Sequence, residues 1–314
     1  MSDEMYLITG ASGFVGSNIV RHLIAQGKKV SIILRDTKHA WRIEDILKKI
    51  QVVETNLLSP TLEKDLTNLH PTYIFHLAAY GALPQESSAD KTIDVNLKGT
   101  IRLLNALKNT HFRLFINTGS SSEYGYKESP MVETDLPQPL NDYGVVKVAQ
   151  TLYCAKLAIR ESLPIITFRL FSPYGYYEDK NRLFSWVITN ALLHKPIALS
   201  SPTNVRDFVF IEDVVDAYIK ACSSTFNPGD IFNIGSGEQH SVEDIVNYVV
   251  EFTHSTSKIE WGTIPKQERQ VEPYIWQADI KKIKKQINWK PKHSLKEGIE
   301  KTIVWFRQHK AYYE

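Results

Sequence analysis

Cysteine is nearly absent from this chain: there are two, Cys154 and Cys222, in 314 residues. Two thiols cannot staple a disulfide scaffold. Neither stands at a metal-ligand spacing, so no metal site is expected. Each falls inside an apolar helical pattern, as buried free thiols in a reducing compartment do. Net charge is also lacking. Lys and Arg number 37 against 35 Asp and Glu, a formal +2, which gives no reason to expect a nucleic-acid or membrane partner. No apolar run approaches the roughly 20 residues that span a bilayer. Met1-Ser-Asp-Glu-Met5 is acidic and leads directly into an apolar run, without the basic start of a secretory signal. The expectation is a cytoplasmic protein. Internal repeats, low-complexity segments and flexible linkers are missing as well. What remains is ordinary globular material, 43% apolar, enough for one large domain or two unequal ones.

Short apolar runs alternate with amphipathic segments through the first half. Residues 5–9, 30–34, 52–54, 73–77, 112–118 and 165–170 read as strands, and 13–26, 43–49, 62–69, 93–107 and 143–160 as helices. That alternation predicts an α/β fold, a doubly wound parallel sheet wrapped on both faces by right-handed crossovers. After Tyr174-Gly175 the pattern is mixed. Helices are predicted over 183–193, 211–222, 242–252 and 295–308, with short strands near 205–210 and 231–234. The predicted division is a sheet domain over 1–175, rejoined by segments near 205–235, and a smaller mixed α/β domain over 176–314. The basic run Lys281-Lys282-Ile283-Lys284-Lys285 is interrupted at helical spacing and reads as the solvated face of a helix.

Two motifs carry chemistry. Thr9-Gly-Ala-Ser-Gly-Phe-Val-Gly16 lies at a strand-to-helix junction, the context a dinucleotide fingerprint requires. Gly10, Gly13 and Gly16 would give a tight turn, close approach of backbone to a pyrophosphate and close packing of helix on strand, with the helix N-terminus facing the phosphates. The bland alternative is an ordinary glycine-rich turn. Further on, Tyr143-Gly-Val-Val-Lys147 puts a phenol and an ammonium on one helix face, where the cation can lower a phenol pKa of about 10. Alone, this spacing describes an aromatic on a core face beside a solvated Lys. Together the two motifs describe a nicotinamide enzyme. Asn117-Thr-Gly-Ser-Ser-Ser-Glu-Tyr-Gly125 follows the fifth strand and places hydroxyls at the carboxyl edge of the sheet, where open α/β proteins bind ligands; the alternative is that these serines cap a turn.

Over almost its whole length the chain resembles the extended short-chain dehydrogenase/reductase family, the nucleotide-sugar epimerases, dehydratases and reductases. The glycine turn, His76-Leu-Ala-Ala79, Asp94-Val-Asn-Leu-Lys-Gly-Thr100, Arg169-Leu-Phe-Ser-Pro-Tyr-Gly175 and Arg206-Asp-Phe-Val-Phe-Ile-Glu-Asp213 match its motifs in order. The resemblance implies that Ser120, Tyr143 and Lys147 are catalytic. Tyr143 would act as acid or base at the sugar oxygen, Ser120 would polarise the C–O group, and Lys147 would depress the Tyr143 pKa and hold the nicotinamide ribose. It implies cofactor contacts from Gly10, Ser12, Gly13, Phe14, Val15, Gly16, Arg35, Asn56, Leu57, Leu77, Ala78 and Ala79 besides Tyr143 and Lys147. Substrate contacts fall to Ser121, Ser122, Ser172, Arg206 and Arg269, the two arginines gripping the diphosphate or, alternatively, serving as surface ion-pair partners. His76 and Asn96 read as structural.

Departures from the pattern sharpen the expectation. Where many NAD-using relatives place an acid after the second strand, Arg35 stands, and Arg suits a 2′-phosphate. Ser121 and Ser122 occupy the places where dehydratases carry carboxylates, which disfavours dehydration. NADP(H) is therefore favoured, with NAD(H) possible, and the expected activity is an NADPH-dependent 4-ketoreductase of a 4-keto-6-deoxy nucleotide sugar. A nucleotide-sugar 4-epimerase is the alternative, and a non-catalytic cofactor sensor is a third. A homodimer is expected, since helices 93–107 and 143–160 are apolar on more than one face and relatives pair them in a four-helix bundle.

Overall fold

The computed structural model describes residues 4–38, 40–82, 86, 88–263 and 274–313. Strand β1 (Met5–Thr9) feeds α1 (Phe14–Ala25), β2 (Lys29–Leu34), a 3-10 helix over Trp41–Lys49 and β3 (Gln51–Glu54). The chain then crosses through α2 (Leu62–Leu66) to β4 (Tyr73–His76), and through α3 (Ala89–Thr92), a π-helical stretch Ile93–Lys98 and α4 (Gly99–Leu107) to β5 (Leu114–Ser120). Helix α5 (Asp142–Glu161) and β6 (Ile165–Leu170) follow. Among the remaining elements are β7 (Ser172–Tyr174), α6 (Leu183–Leu192), β8 (Ile197–Leu199), β9 (Val205–Arg206), β10 (Phe208–Phe210), α7 (Ile211–Ala221) and β11 (Ile231–Ile234). Helices over Val242–Thr253, Lys281–Gln286 and Leu295–Gln308 complete the C-terminal third.

Seven strands form one sheet in the order β11-β6-β5-β4-β1-β2-β3, every pair parallel. Strand side chains alternate faces, and the register turns that alternation into two cores. Ile32, Ile8, Phe75, Ile116 and Ile166 stand opposite one another across five strands and belong to one core. Their neighbours Leu7, Ile74, Phe115 and Ile165 line up on the other face, in a second core. Each such fully buried side chain contributes about 1.5–3 kcal/mol, so a one-residue slip of any central strand is strongly resisted.

Strand order reverses between β1 and β4, and the ligand crevice of an open parallel sheet lies at that switch point. Two predicted elements changed character there. The helix predicted over 93–107 starts with a π-helical stretch, in which buried Asn96 accepts from the Tyr80 N–H and donates to the Tyr80 carbonyl, both at 2.8 Å. A side chain that clamps the loop after β4 in this way shifts the helix register locally, as π-bulges at functional sites do. The strand predicted over 205–210 is two short ones because the Asp207 carboxylate turns inward to accept from the backbone of Ser236, Gly237 and Ala278. Cys154 is buried, Cys222 half-buried, and both are free. Among the described residues no helix is long and apolar enough to cross a membrane, and no cluster of three or more His, Cys, Asp or Glu could hold a metal.

Candidate active site

At the carboxyl ends of β1, β4 and β5 a cleft of about 320 Å³ opens. One wall is the glycine turn. Gly10 has φ of +69°, and a Cβ there would stand 2.6 Å from the Ala78 nitrogen; a Cβ on Gly16 would overlap the Gly10 carbonyl oxygen. Only glycine lets β1, the loop after β4 and α1 approach so closely. Gly13, exposed, is the N-cap of α1, with no side-chain cap and no acid in the first turn. The Gly13 N–H closes the turn onto the Gly10 carbonyl at 3.0 Å, and Gly13, Phe14, Val15 and Gly16, the start of the helix, line the cleft. This cradle fits a pyrophosphate. Ser12 turns its carbonyl to the Arg42 guanidinium at 3.3 Å.

The opposite wall comes from β5 and α5. Ser120 ends β5 and caps a short 3-10 turn, its hydroxyl accepting from the Ser122 N–H at 3.1 Å. Its own N–H donates at 2.8 Å to Glu123. The Glu123 carboxylate is buried, 2.8 Å from the Arg169 guanidinium, which lies 4.6 Å over the Tyr124 ring. Burial pushes Glu123 above the usual carboxylate range, with Arg169 pulling it back. So the acid that follows Ser120 braces the turn from behind and does not enter the cleft. Helix α5 begins where Asn141 accepts from the Gly144 N–H at 2.8 Å, which carries Tyr143 and Lys147 into the cleft on one face.

Lys147 makes its hydrogen bonds away from Tyr143. Its amino group lies 5.9 Å from the Tyr143 ring centre and donates to the Thr118 carbonyl at 2.5 Å and Gln150 Oε1 at 2.7 Å. Burial pushes the Tyr143 phenol up to about 12, only partly offset by a hydrogen bond with Ser120 and the charge of Arg182. Burial holds Lys147 down at about 8, against the pull of Glu123. At neutral pH the phenol therefore carries its proton, poised as an acid. Helical spacing places two residues on a face, but tertiary acceptors decide where a flexible Lys points.

Leu77 and Ala79 line the cleft. Ala78 packs into the second core, its N–H donating to Thr9 Oγ1 at 3.1 Å. Arg35 is exposed just beyond β2, outside the cleft lining. Asn56 is exposed and turns its carbonyl to the Leu58 N–H at 2.9 Å. Leu57 is a core residue that packs under Gly99. Ser121, Ser122, Ser172 and Arg206 all line the cleft, and Arg269 lies outside the described residues. His76 is fully buried between Thr9 and Thr100, and burial holds it neutral, its pKa down at about 3.

The lining residues that were not predicted as site residues include Arg182 and Trp276. Arg182, N-cap of α6, carries no motif, only a polar break before an amphipathic helix. Trp276, by residue type able to stack on a base but more often core, donates its indole N–H to Ser121 Oγ at 3.2 Å, and the Arg206 guanidinium lies 5.0 Å over its ring.

A family model for the NAD dependent epimerase/dehydratase family matches residues 6–235. The chain belongs to this family. It is an enzyme of the extended short-chain dehydrogenase/reductase type. The UDP-N-acetyl-alpha-D-glucosaminuronate decarboxylase of Bacillus cytotoxicus is 28% identical over 322 residues, covering 96% of this chain and 97% of that protein. The UDP-glucose 4-epimerase of Mycolicibacterium smegmatis is 28% identical over 316 residues, with 96% and 98% covered. The crystal structure of UDP-glucuronic acid 4-epimerase from Bacillus cereus in complex with UDP-glucuronic acid and NAD superimposes with a TM-score of 0.86 at 27% identity, over 97% of this chain and 99% of that one. For an epimerase/dehydratase fold, the uncapped α1 N-terminus, the Gly10 approach to Ala78 and the buried Lys147 suit a dinucleotide's pyrophosphate and ribose.

Proposed function

We propose that the protein is a nucleotide-sugar 4-epimerase that retains NAD. The observation that carries this reading is the Ser120–Tyr143 hydroxyl pair beside Lys147, in a cleft that no described Asp or Glu lines. Eliminating water across a carbon–carbon bond needs a further base and acid near those carbons, and Glu123 is spent on Arg169. Oxidation and reduction at a single carbon needs only one positioned proton carrier. A bound NAD supplies hydride acceptance and return. The chain's residues supply the rest: Tyr143 in its phenolate form, the minor form at neutral pH, takes the proton from the C4 hydroxyl and as the phenol gives it back, Ser120 orients that oxygen, and Arg206 with Trp276 lies along the far wall for the nucleotide diphosphate.

The 4-ketoreductase expectation rested on Arg35, which is exposed outside the cleft, whereas curated relatives named above are an epimerase and a decarboxylase and a solved neighbour contains NAD. These favour NAD and epimerisation over NADPH and reduction. Arg182 sets a cation next to Tyr143, which suits a sugar carrying a carboxylate. For such a substrate the same C4 oxidation also opens decarboxylation, the second reading. Purified protein, incubated without added cofactor with UDP-glucose and with UDP-glucuronate, should yield the C4 epimer by NMR and release NAD on denaturation. Carbon dioxide release decides for the decarboxylase. NADPH oxidation by a 4-keto sugar, with no bound NAD, refutes both.

We further propose a homodimer through α4 and α5. Val145, Leu152 and Ile159 recur every seven residues along α5 and are 52%, 56% and 67% exposed, one unburied apolar stripe on a 20-residue helix.

A further inference from the structure

We propose that Gln150 is a positioning residue for Lys147, held in place by a buried chain of hydrogen bonds that runs back to Thr9 at the glycine turn. Every link lies in the core: Thr9, His76, Thr100, Asn117, Lys147 and Gln150 are each at most 2% exposed. Hydrogen-bond accounting gives the chain a single proton assignment. The Thr100 hydroxyl has one proton, and it goes to the Asn96 carbonyl at 2.5 Å, which can only accept. Thr100 Oγ1 must then accept at its other two contacts, from Gln150 Nε2 at 2.9 Å and His76 Nε2 at 2.7 Å. The His76 proton therefore sits on Nε2. Its Nδ1 accepts from the Thr9 hydroxyl at 2.7 Å, and Thr9 Oγ1 in turn accepts from the Ala78 N–H.

Gln150 is fixed by the same logic. Its amide nitrogen spends both protons, on Thr100 and on Asn117 Oδ1 at 2.8 Å, so its carbonyl oxygen has to face Lys147, 2.7 Å away. Two of the three protons of the Lys147 ammonium are committed, to Gln150 and to the Thr118 carbonyl, and the third is left for the cleft that Lys147 lines. Gln150 thus decides where that third proton points. The other titratable groups facing Lys147 are Glu123, which favours its charged form, and Cys154 and neutral His76 in the core, with Tyr143 one turn away on α5.

The inference rests on Lys147 serving the active site proposed above, and its test reads Lys147 directly. Full-length protein carrying 13C-ε-labelled lysine is titrated by NMR, with Lys147→Arg assigning the resonance. Gln150→Leu removes an acceptor of the ammonium and should lower the Lys147 midpoint. Gln150→Glu places an anion at the same contact and should raise it by about one pH unit or more. Thr100→Val touches no atom of Lys147 yet frees the Gln150 amide, and should move the midpoint in the same direction as Gln150→Leu. In turnover assays both acceptor-loss variants should lose kcat by about tenfold or more with KM for the nucleotide sugar unchanged. A wild-type midpoint in folded Gln150→Leu or Thr100→Val overturns the proposal. Should Gln150→Leu fail to fold, Gln150→Glu and Thr100→Val carry the same signed test. Absence of nucleotide-sugar turnover in wild-type protein refutes the proposed function but leaves the NMR result standing.

Discussion

Replacing Glu123 with Gln tests the brace behind Ser120. The change keeps the size of the side chain and an oxygen that can still accept from the Ser120 N–H, but it removes the charge facing Arg169. The side chains of the pair are 0% and 3% exposed, so the guanidinium cannot be rehydrated in place, and its neutral neighbours, Tyr124 and the Glu133 carbonyl, carry no charge to replace the one lost. Breaking one side of a buried ion pair costs about 3–5 kcal/mol. With an unfolding entropy of about 2.1 cal/mol/K per residue over 314 residues, that loss lowers Tm by about 5 to 8 °C. Calorimetry of wild type, Glu123→Gln and the double variant Glu123→Gln with Arg169→Met reads it directly. The double variant, which removes the orphaned charge, should recover most of the drop. A single-variant shift below about 1 °C, or no recovery in the double variant, would refute the view that Glu123 is committed to Arg169.

Three further outcomes are expected. Tyr143→Phe should leave NAD content and fold unchanged while cutting turnover by about two to four orders of magnitude, and near-normal rates measured by coupled assay would remove Tyr143 from the chemistry. Arg35→Asp should leave bound NAD in place, as judged by mass spectrometry of purified protein. A large fall in NADPH affinity, together with wild-type protein that copurifies with NADP, would instead restore the reductase reading. Leu152→Glu on the exposed stripe of α5 should convert a dimer into a monomer by light scattering at micromolar concentration; a monomeric wild type would contradict the assembly.

Much of the fold was readable from residues near in sequence. A strand shows itself by a short stretch rich in apolar and β-branched residues, and β6 and β11 fall on the predicted residues 165–170 and 231–234. The C-terminal helix Leu295–Gln308 likewise has the predicted bounds. The glycine turn was legible because its constraint is local: a positive φ at Gly10 and a helix start at Gly13 are written in the residue types themselves. Elsewhere local pattern misled. Residues 43–49 have helical periodicity but wind as part of a 3-10 helix over Trp41–Lys49, since nine residues are too few for propensity to settle the winding.

The chemistry of the cleft was decided at longer range. Sequence alone determined which groups are present, a Tyr and a Lys four apart and a Ser at a strand end, because helix and strand periods fix which side chains share a face. It did not determine their protonation or aim. Tyr143 is held near 12 by burial, Lys147 is turned toward Thr118 and Gln150, and Glu123 is drawn back to Arg169, 46 positions away. Arg182 and Trp276 reach the cleft from segments with no motif of their own. Desolvation and hydrogen bonding depend on which atoms the whole fold brings within a few ångströms, and the spacing of residues along one chain does not contain that information.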